Sequence, residues 1–265
     1  MIPPYLKAPH FNDISWLAHG FFGRKGGISK GEFTSLNITN KEQACADAVN
    51  ENRRRIAKTV GMENAPTLLT NQKHTNTVVV LEKPFGGHES PIADAMVTNQ
   101  RNLLICIQTA DCVPVLFVDP INQIIGGAHA GWRGLSTGIL ENTIQTMINL
   151  GAKRECIKAA IGPCAWAESY EVGTDVMEAF PQFNDLFKQW HAPTKANGMG
   201  ILKTFSFDLP TAALRTLQNE KLSEVSASPI NTYTHEEDFF SFRRSTHQGK
   251  NHFGGQGSVI GLRNI

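Results

Sequence analysis

Thr109-Ala110-Asp111-Cys112-Val113-Pro114-Val115-Leu116-Phe117-Val118-Asp119 is an apolar run with a carboxylate and a thiol at its entrance. A few residues later Gly126-Gly127-Ala128-His129-Ala130-Gly131-Trp132-Arg133-Gly134 ends a second apolar run on an imidazole. Both runs are short, rich in β-branched residues and bounded by turn formers, the pattern of strands buried on both faces. The same pattern predicts strands over 78–82, 103–107, 113–118, 124–128, 157–161 and 239–243. Helices are predicted over 42–60 and 136–150, where apolar residues recur on one face and Gly61 and Gly151 supply the stops. Two shorter ones are predicted over 173–180 and 209–218, while 183–199 fits no period and reads as a surface excursion. Strands and helices mix without regular alternation, and Gly-rich turns such as Gly86-Gly87 punctuate the chain. No linker or repeat divides it. These features predict a single α+β domain over residues 1–265, with its central strands covered on at least one face.

Composition narrows the function. A formal charge of +1 gives no electrostatic reason to expect nucleic acid or an anionic membrane as partner. No apolar stretch approaches the roughly 20 residues needed to cross a bilayer, and the first residues lack the basic and apolar regions of a secretory signal. The cysteines number five, an odd count with no C-x-x-C pair, which argues against a disulfide framework and a zinc ribbon. A reducing cytoplasm is the expected location.

Cys112, His129 and His74, the last just ahead of Val78-Val79-Val80-Leu81, stand singly at predicted strand ends. Structural zinc sites draw ligands in close pairs, whereas a catalytic site uses three protein ligands and keeps one position open. Thiolate and imidazole suit zinc or copper and disfavour magnesium or calcium. Asp111 is the candidate to orient an imidazole from behind. Taken one at a time, each of these residues is as readily a packed interior side chain. A cysteine nucleophile served by a histidine base, as in a Cys/His hydrolase, is the competing chemistry for Cys112 and His129, but such a dyad has no use for His74. Gly27-Ile28-Ser29-Lys30-Gly31 matches a nucleophile elbow by letter only, since no hydrophobic strand enters it.

Several segments together resemble the YfiH-like family. They are Gln72-Lys73-His74-Thr75, Asp94-Ala95-Met96-Val97-Thr98, the Cys112 and His129 stretches above, Ile161-Gly162-Pro163-Cys164, Tyr170-Glu171-Val172-Gly173 and Phe239-Phe240-Ser241-Phe242-Arg243-Arg244. The resemblance runs from about residue 21 to 262. It implies a layered α/β/β/α sandwich with mixed sheets and a zinc site at His74, Cys112 and His129, copper being the other metal attached to the family. It also implies phosphorolysis of adenosine and inosine, with a purine nucleoside and phosphate as ligands, and possible adenosine deamination and methylthioadenosine cleavage. Family labels of polyphenol oxidase (laccase) and of peptidoglycan-precursor editing are the alternatives. Nine histidines without an H-x-H pair are a poor supply for a trinuclear copper cluster.

Arg24, in Arg24-Lys25-Gly26-Gly27, resembles the family's Arg-x-Gly-Gly motif and suits a phosphate. Asn37 is a candidate for a ribose or a leaving base, and Arg133 for phosphate or for pairing with Asp111. Trp132, Phe240 and Arg243 are weaker candidates for substrate contact. Over 231–257 the chain departs from the family: Asn231 replaces a common cysteine, and Gln248-Gly249-Lys250-Asn251-His252 replaces a Thr-Gly-Arg run.

Overall fold

Val113–Asp119 and Ile124–Ala130 pair as an antiparallel hairpin in which every strand residue is buried. The computed structural model describes residues 2–40, 43–85, 90–190 and 204–264. The turn at Gly86-Gly87, the start of the 42–60 helix and the 191–199 part of the excursion lie outside these residues.

The hairpin strands, β7 (Val113–Asp119) and β8 (Ile124–Ala130), are the centre of a six-stranded mixed sheet. Its order is β13 (Glu224–Ala227), β9 (Lys158–Ile161), β7, β8, β5 (Ala95–Thr98), β4 (Val78–Val80). A five-stranded sheet faces it, in the order β1 (Tyr5–Leu6), β2 (Leu17–Phe22), β14 (Gln256–Leu262), β6 (Leu104–Thr109), β3 (Thr67–Leu68). A small third sheet joins β10 (Glu171–Val172), β12 (Phe205–Phe207) and β11 (Phe187–Gln189).

Alternation along single strands explains the layering. In β7, Val113, Val115 and Phe117 pack against α3 (Ile139–Asn149) and α5 (Leu209–Asn219), whereas Leu116 and Val118 pack between the sheets. In β6, Ile105 and Ile107 face the other sheet, while Leu104 and Cys106 face Ile56, Ala57 and Val60 of α1 (Ala46–Thr59) and its C-cap. Period-two side chains with both faces covered therefore give the four layers helix, sheet, sheet, helix. The α/β/β/α arrangement implied by the resemblance is the one observed. The remaining helices are short: α2 (Trp132–Ser136), α4 (Thr174–Glu178) and α6 (Phe242–His247).

The 239–243 strand is a correction. Ser241 caps α6, its hydroxyl accepting from the Arg244 N–H, so the aromatic run turns into a helix. The excursion is also corrected in its described part, since Phe183 is buried and Phe187–Gln189 is a strand. Gly61 and Gly151 adopt φ of 72° and 112° just beyond α1 and α3, a left-handed stop that a Cβ would oppose.

Candidate metal centre

Hairpin register places two of the three donors. Pro114 pairs with His129 at the open end of β7 and β8, and Cys112 is the residue before β7. Ala128 and Ala130 face the helices, so His129 between them turns toward the space between the sheets.

The third donor arrives on a loop gathered by a buried carboxylate. Asp94, fully buried before β5, accepts the backbone N–H groups of Lys73, His74 and Thr75 at 3.1, 3.0 and 2.7 Å, and the Thr75 hydroxyl at 2.8 Å. Successive N–H groups converge on one anion because His74 takes a left-handed φ of 60°. The same carboxylate accepts the Nδ1–H of His129 at 2.8 Å, which leaves Nε2 to face the site. Gln72 joins the two ligand loops, donating from Nε2 to the Gln108 carbonyl at 2.8 Å and accepting the Gln108 N–H at 3.0 Å.

Donor atoms of His74, Cys112 and His129 lie within 4.8 Å of one another, with Cys112 Sγ 3.8 Å from His74 Nε2. Tetrahedral zinc, with bonds of about 2.0 to 2.3 Å to nitrogen and sulfur, needs donors about 3.3 to 3.8 Å apart, so the group fits with little closure. A Cβ built on Gly131 would lie 2.5 Å from His74 Cδ2 and 3.4 Å from Cys112 Sγ. Only glycine there lets the main chain pass so close to both donors.

Burial alone would push the Cys112 thiol up. The His129 imidazole, and then His74, outweigh it and bring the thiol down to about 6. His129 is lowered by burial but raised more strongly by the Cys112 thiolate and Asp94, reaching about 9. Asp94 sits well below the usual carboxylate range, because His129 and Thr75 overcome its burial. Cys112 is thus lowered and His129 raised by one another, and a divalent ion binding both would displace the proton they hold between them.

The group that orients an imidazole is Asp94, not Asp111. Asp111 accepts the hydroxyls of Thr232 and Ser241 at 2.7 and 2.9 Å and the Arg243 N–H at 2.7 Å, which clamps the C-terminal segment beside Cys112. Asn37 is fully buried; its amide oxygen accepts from the N–H of Thr39 and Gly255, and its amide nitrogen donates to the Thr39 carbonyl. Buried in this way, it braces a loop. Arg24 donates to the carbonyls of Thr34 and Glu236 and lies 4.7 Å over the Phe240 ring. These contacts tie the N-terminal loop to the C-terminal segment. Arg133 is exposed, 4.3 Å over the Trp132 ring, and not bonded to Asp111. Arg243 donates to the Glu171 carbonyl and lies 5.5 Å from the Tyr170 ring. Asn231 is buried with its amide nitrogen on Glu168 and Ser169, a polar tie where the family commonly has a thiol. Asp94, Gln72 and Gly131 were not singled out from the sequence, although all three lie in segments that carry the resemblance.

Known proteins place the chain. A relative from Deinococcus radiodurans described as purine nucleoside phosphorylase is 35% identical over 98% of this chain and 93% of its own length. Purine nucleoside phosphorylase YfiH of Escherichia coli is 30% identical over 86% of this chain and 88% of its own. The crystal structure of a Neisseria meningitidis protein superposes with a TM-score of 0.79 at 30% identity, covering 100% of both chains. That of Bacillus licheniformis YfiH gives 0.83 at 25% identity, over 98% of this chain and 97% of that one. The model of a family described as multi-copper polyphenol oxidoreductase laccase matches residues 18–263, and with these relatives it shows that the chain belongs to this YfiH-like family.

Proposed function

We infer that this chain is a metal-dependent purine nucleoside phosphorylase acting on adenosine and inosine, with residues 1–265 as one catalytic domain working in the cytoplasm. Adenosine deamination and methylthioadenosine cleavage are companion activities of the same reading. The observation that carries it is the convergence of His74, Cys112 and His129 with Asp94 behind His129, beside relatives that bear the phosphorylase name. A zinc ion held there would supply a fixed positive charge and an open coordination position.

The chain's own part is positioning. Asp94 holds His129 in one tautomer and one orientation, and sets the His74 loop with the same two oxygens. Phosphorolysis joins a phosphate oxygen to C1′ of the ribose as the C1′–N9 bond breaks, and the purine leaves with a proton on its ring. A phosphate must be held in line for that displacement. Arg133, exposed beside the Gly131 turn and without a carboxylate partner among the described residues, is the cation assigned to it.

Metal-loaded protein incubated with adenosine and inorganic phosphate should yield adenine and ribose 1-phosphate by chromatography, or inosine if deamination runs. Absence of all three at high enzyme concentration overturns the reading. The family's oxidoreductase description favours a copper enzyme instead, and the N, N, S donor set accepts copper as well as zinc. Among the described residues one group of this kind is found, which suits a single ion better than several. Several copper atoms per chain in metal analysis would reverse the order. The Cys112–His129 pair also fits a thiol nucleophile, as in a hydrolase or a peptidoglycan-precursor editor. That alternative requires full activity in metal-free protein.

A further inference from the structure

Tyr170 immediately precedes β10, and its main chain is fixed from both sides. Its N–H donates to the Ala167 carbonyl at 3.2 Å, and its own carbonyl accepts the Phe207 N–H at 3.1 Å. The ring lies 6.4 Å from that of Phe207 and 5.5 Å from the Arg243 guanidinium. Arg243 is itself anchored, its N–H on Asp111 and its Nη2 on the Glu171 carbonyl, both at 2.7 Å. Since Asp111 directly precedes Cys112, the phenol ring is tied to the metal centre through two contacts.

The ring is half-buried, yet its hydroxyl meets no hydrogen-bond partner among the described residues. Nor is it sealed in: unlike the Nε1 of Trp166, it keeps accessible surface and can reach a ligand. Burial, and then the charge of Cys112, hold the phenol above its ordinary range; Arg243 pulls it down, Asp111 adds to the rise and Arg133 opposes it. One metal donor and two guanidiniums thus share its neighbourhood. Arg243 spends Nη2 on a carbonyl and Arg133 rests over Trp132, and neither has a carboxylate partner among the described residues. Two guanidiniums without counter-ions and a free hydroxyl suit a tetrahedral oxyanion, whose oxygens match the fork of an arginine and accept a further bond from a phenol.

We propose that Tyr170 is a substrate-contact residue, its hydroxyl donating to an oxyanion that Arg243 and Arg133 hold beside the metal centre. Taking that oxyanion as phosphate rests on the phosphorylase reading; the contact itself does not.

Calorimetric titration of the zinc-loaded full chain with inorganic phosphate, alongside steady-state phosphorolysis of inosine, tests the proposal. Tyr170→Phe removes one oxygen and keeps the ring on Phe207 and Arg243. Phosphate affinity should weaken about tenfold or more in this variant, by loss of a hydrogen bond to a charged group. The KM for phosphate should rise with it while the KM for inosine stays within about twofold, a split that a merely structural role would not produce. Arg133→Gln, at an exposed position, should weaken phosphate to a similar degree, and it probes the same oxyanion even where Tyr170→Phe folds poorly. If wild type forms no product but Tyr170→Phe still weakens phosphate binding, the phosphorylase reading falls and the contact stands. If product forms and Tyr170→Phe matches wild type in phosphate affinity, the contact falls and the reading stands. No phosphate binding by wild type at about 10 mM, near the weak limit of specific affinity, also overturns the contact. Equal rises of both KM values, or unchanged phosphate affinity in Arg133→Gln, overturn it as well.

Discussion

Asp94 and Asp111 are both buried, and each gathers distant backbone into the neighbourhood of Cys112, yet they do different work. Asp94 spends its oxygens on three N–H groups of the His74 loop, the Thr75 hydroxyl and an imidazole. Asp111 spends its oxygens on two hydroxyls and one N–H of the C-terminal segment and touches no histidine. The first carboxylate shapes the donors, and the second builds the wall around them. Adjacency in sequence to Cys112 therefore says little about which acid tunes the site.

Substitution separates the two roles. Asp94→Ala should lower stability by about 3 to 5 kcal/mol, as expected for breaking a buried charge network, and weaken zinc about 10- to 100-fold. Chemical denaturation and competition with a chelator read the two effects. Equal zinc affinity in Asp94→Ala and wild type would erase the distinction. Gly131→Ala should weaken zinc about tenfold or more by pressing on His74, at a stability loss near 1 to 3 kcal/mol from overpacking. Asp111→Ala should destabilise by about 2 to 3 kcal/mol through orphaned hydrogen bonds and leave zinc affinity within about threefold of wild type. A larger drop in zinc affinity would make Asp111 a second orienting group.

A pH titration of thermal stability sharpens the contrast further. His19 is buried and lowered to about 4, by burial first and then by Lys7, and its Nε2 accepts the Ala8 N–H. Its folded value lies below the unfolded one, so the unfolded chain binds the extra proton. Its stabilising contribution is full above about 6.5 and is lost as pH falls toward 4, by about 2 kcal/mol after screening. Asp94 is also lower folded than unfolded, so its contribution is full above about 4 and disappears only in stronger acid. His19→Gln should flatten the melting curve between pH 6.5 and 4, and Asp94→Asn should flatten it below that window. A single acid limb insensitive to His19→Gln would remove His19 from this account.

Much of this architecture was readable from local patterns. β7, β8 and the two long helices stand close to their predicted bounds, because buried runs and one-sided periodicity report burial directly. β14 escaped notice, although it is central in its sheet, because glycines dilute its apolar residues. The Phe239 to Arg243 run misled for the opposite reason: aromatic residues favour strands locally, but the Ser241 cap and the Asp111 clamp decide the backbone. At the candidate site, donor residue types were legible, whereas Asp94's partnership with His129 depends on how β5 lies beside β8. No spacing rule encodes that neighbour. Asn37's bracing contacts were not legible either, because its amide closes a turn within its own loop and reaches Gly255, more than 200 residues away.

The pairing of Pro114 with His129 has a consequence for quality control of the fold. Side chains alternate across a sheet, so slipping β8 by one position would send the imidazole to the helix side, away from Cys112. A mispaired hairpin would then be unable to retain a metal ion. Metal content per molecule thus doubles as a proofreading signal for strand alignment, readable in a refolded sample before any activity is measured.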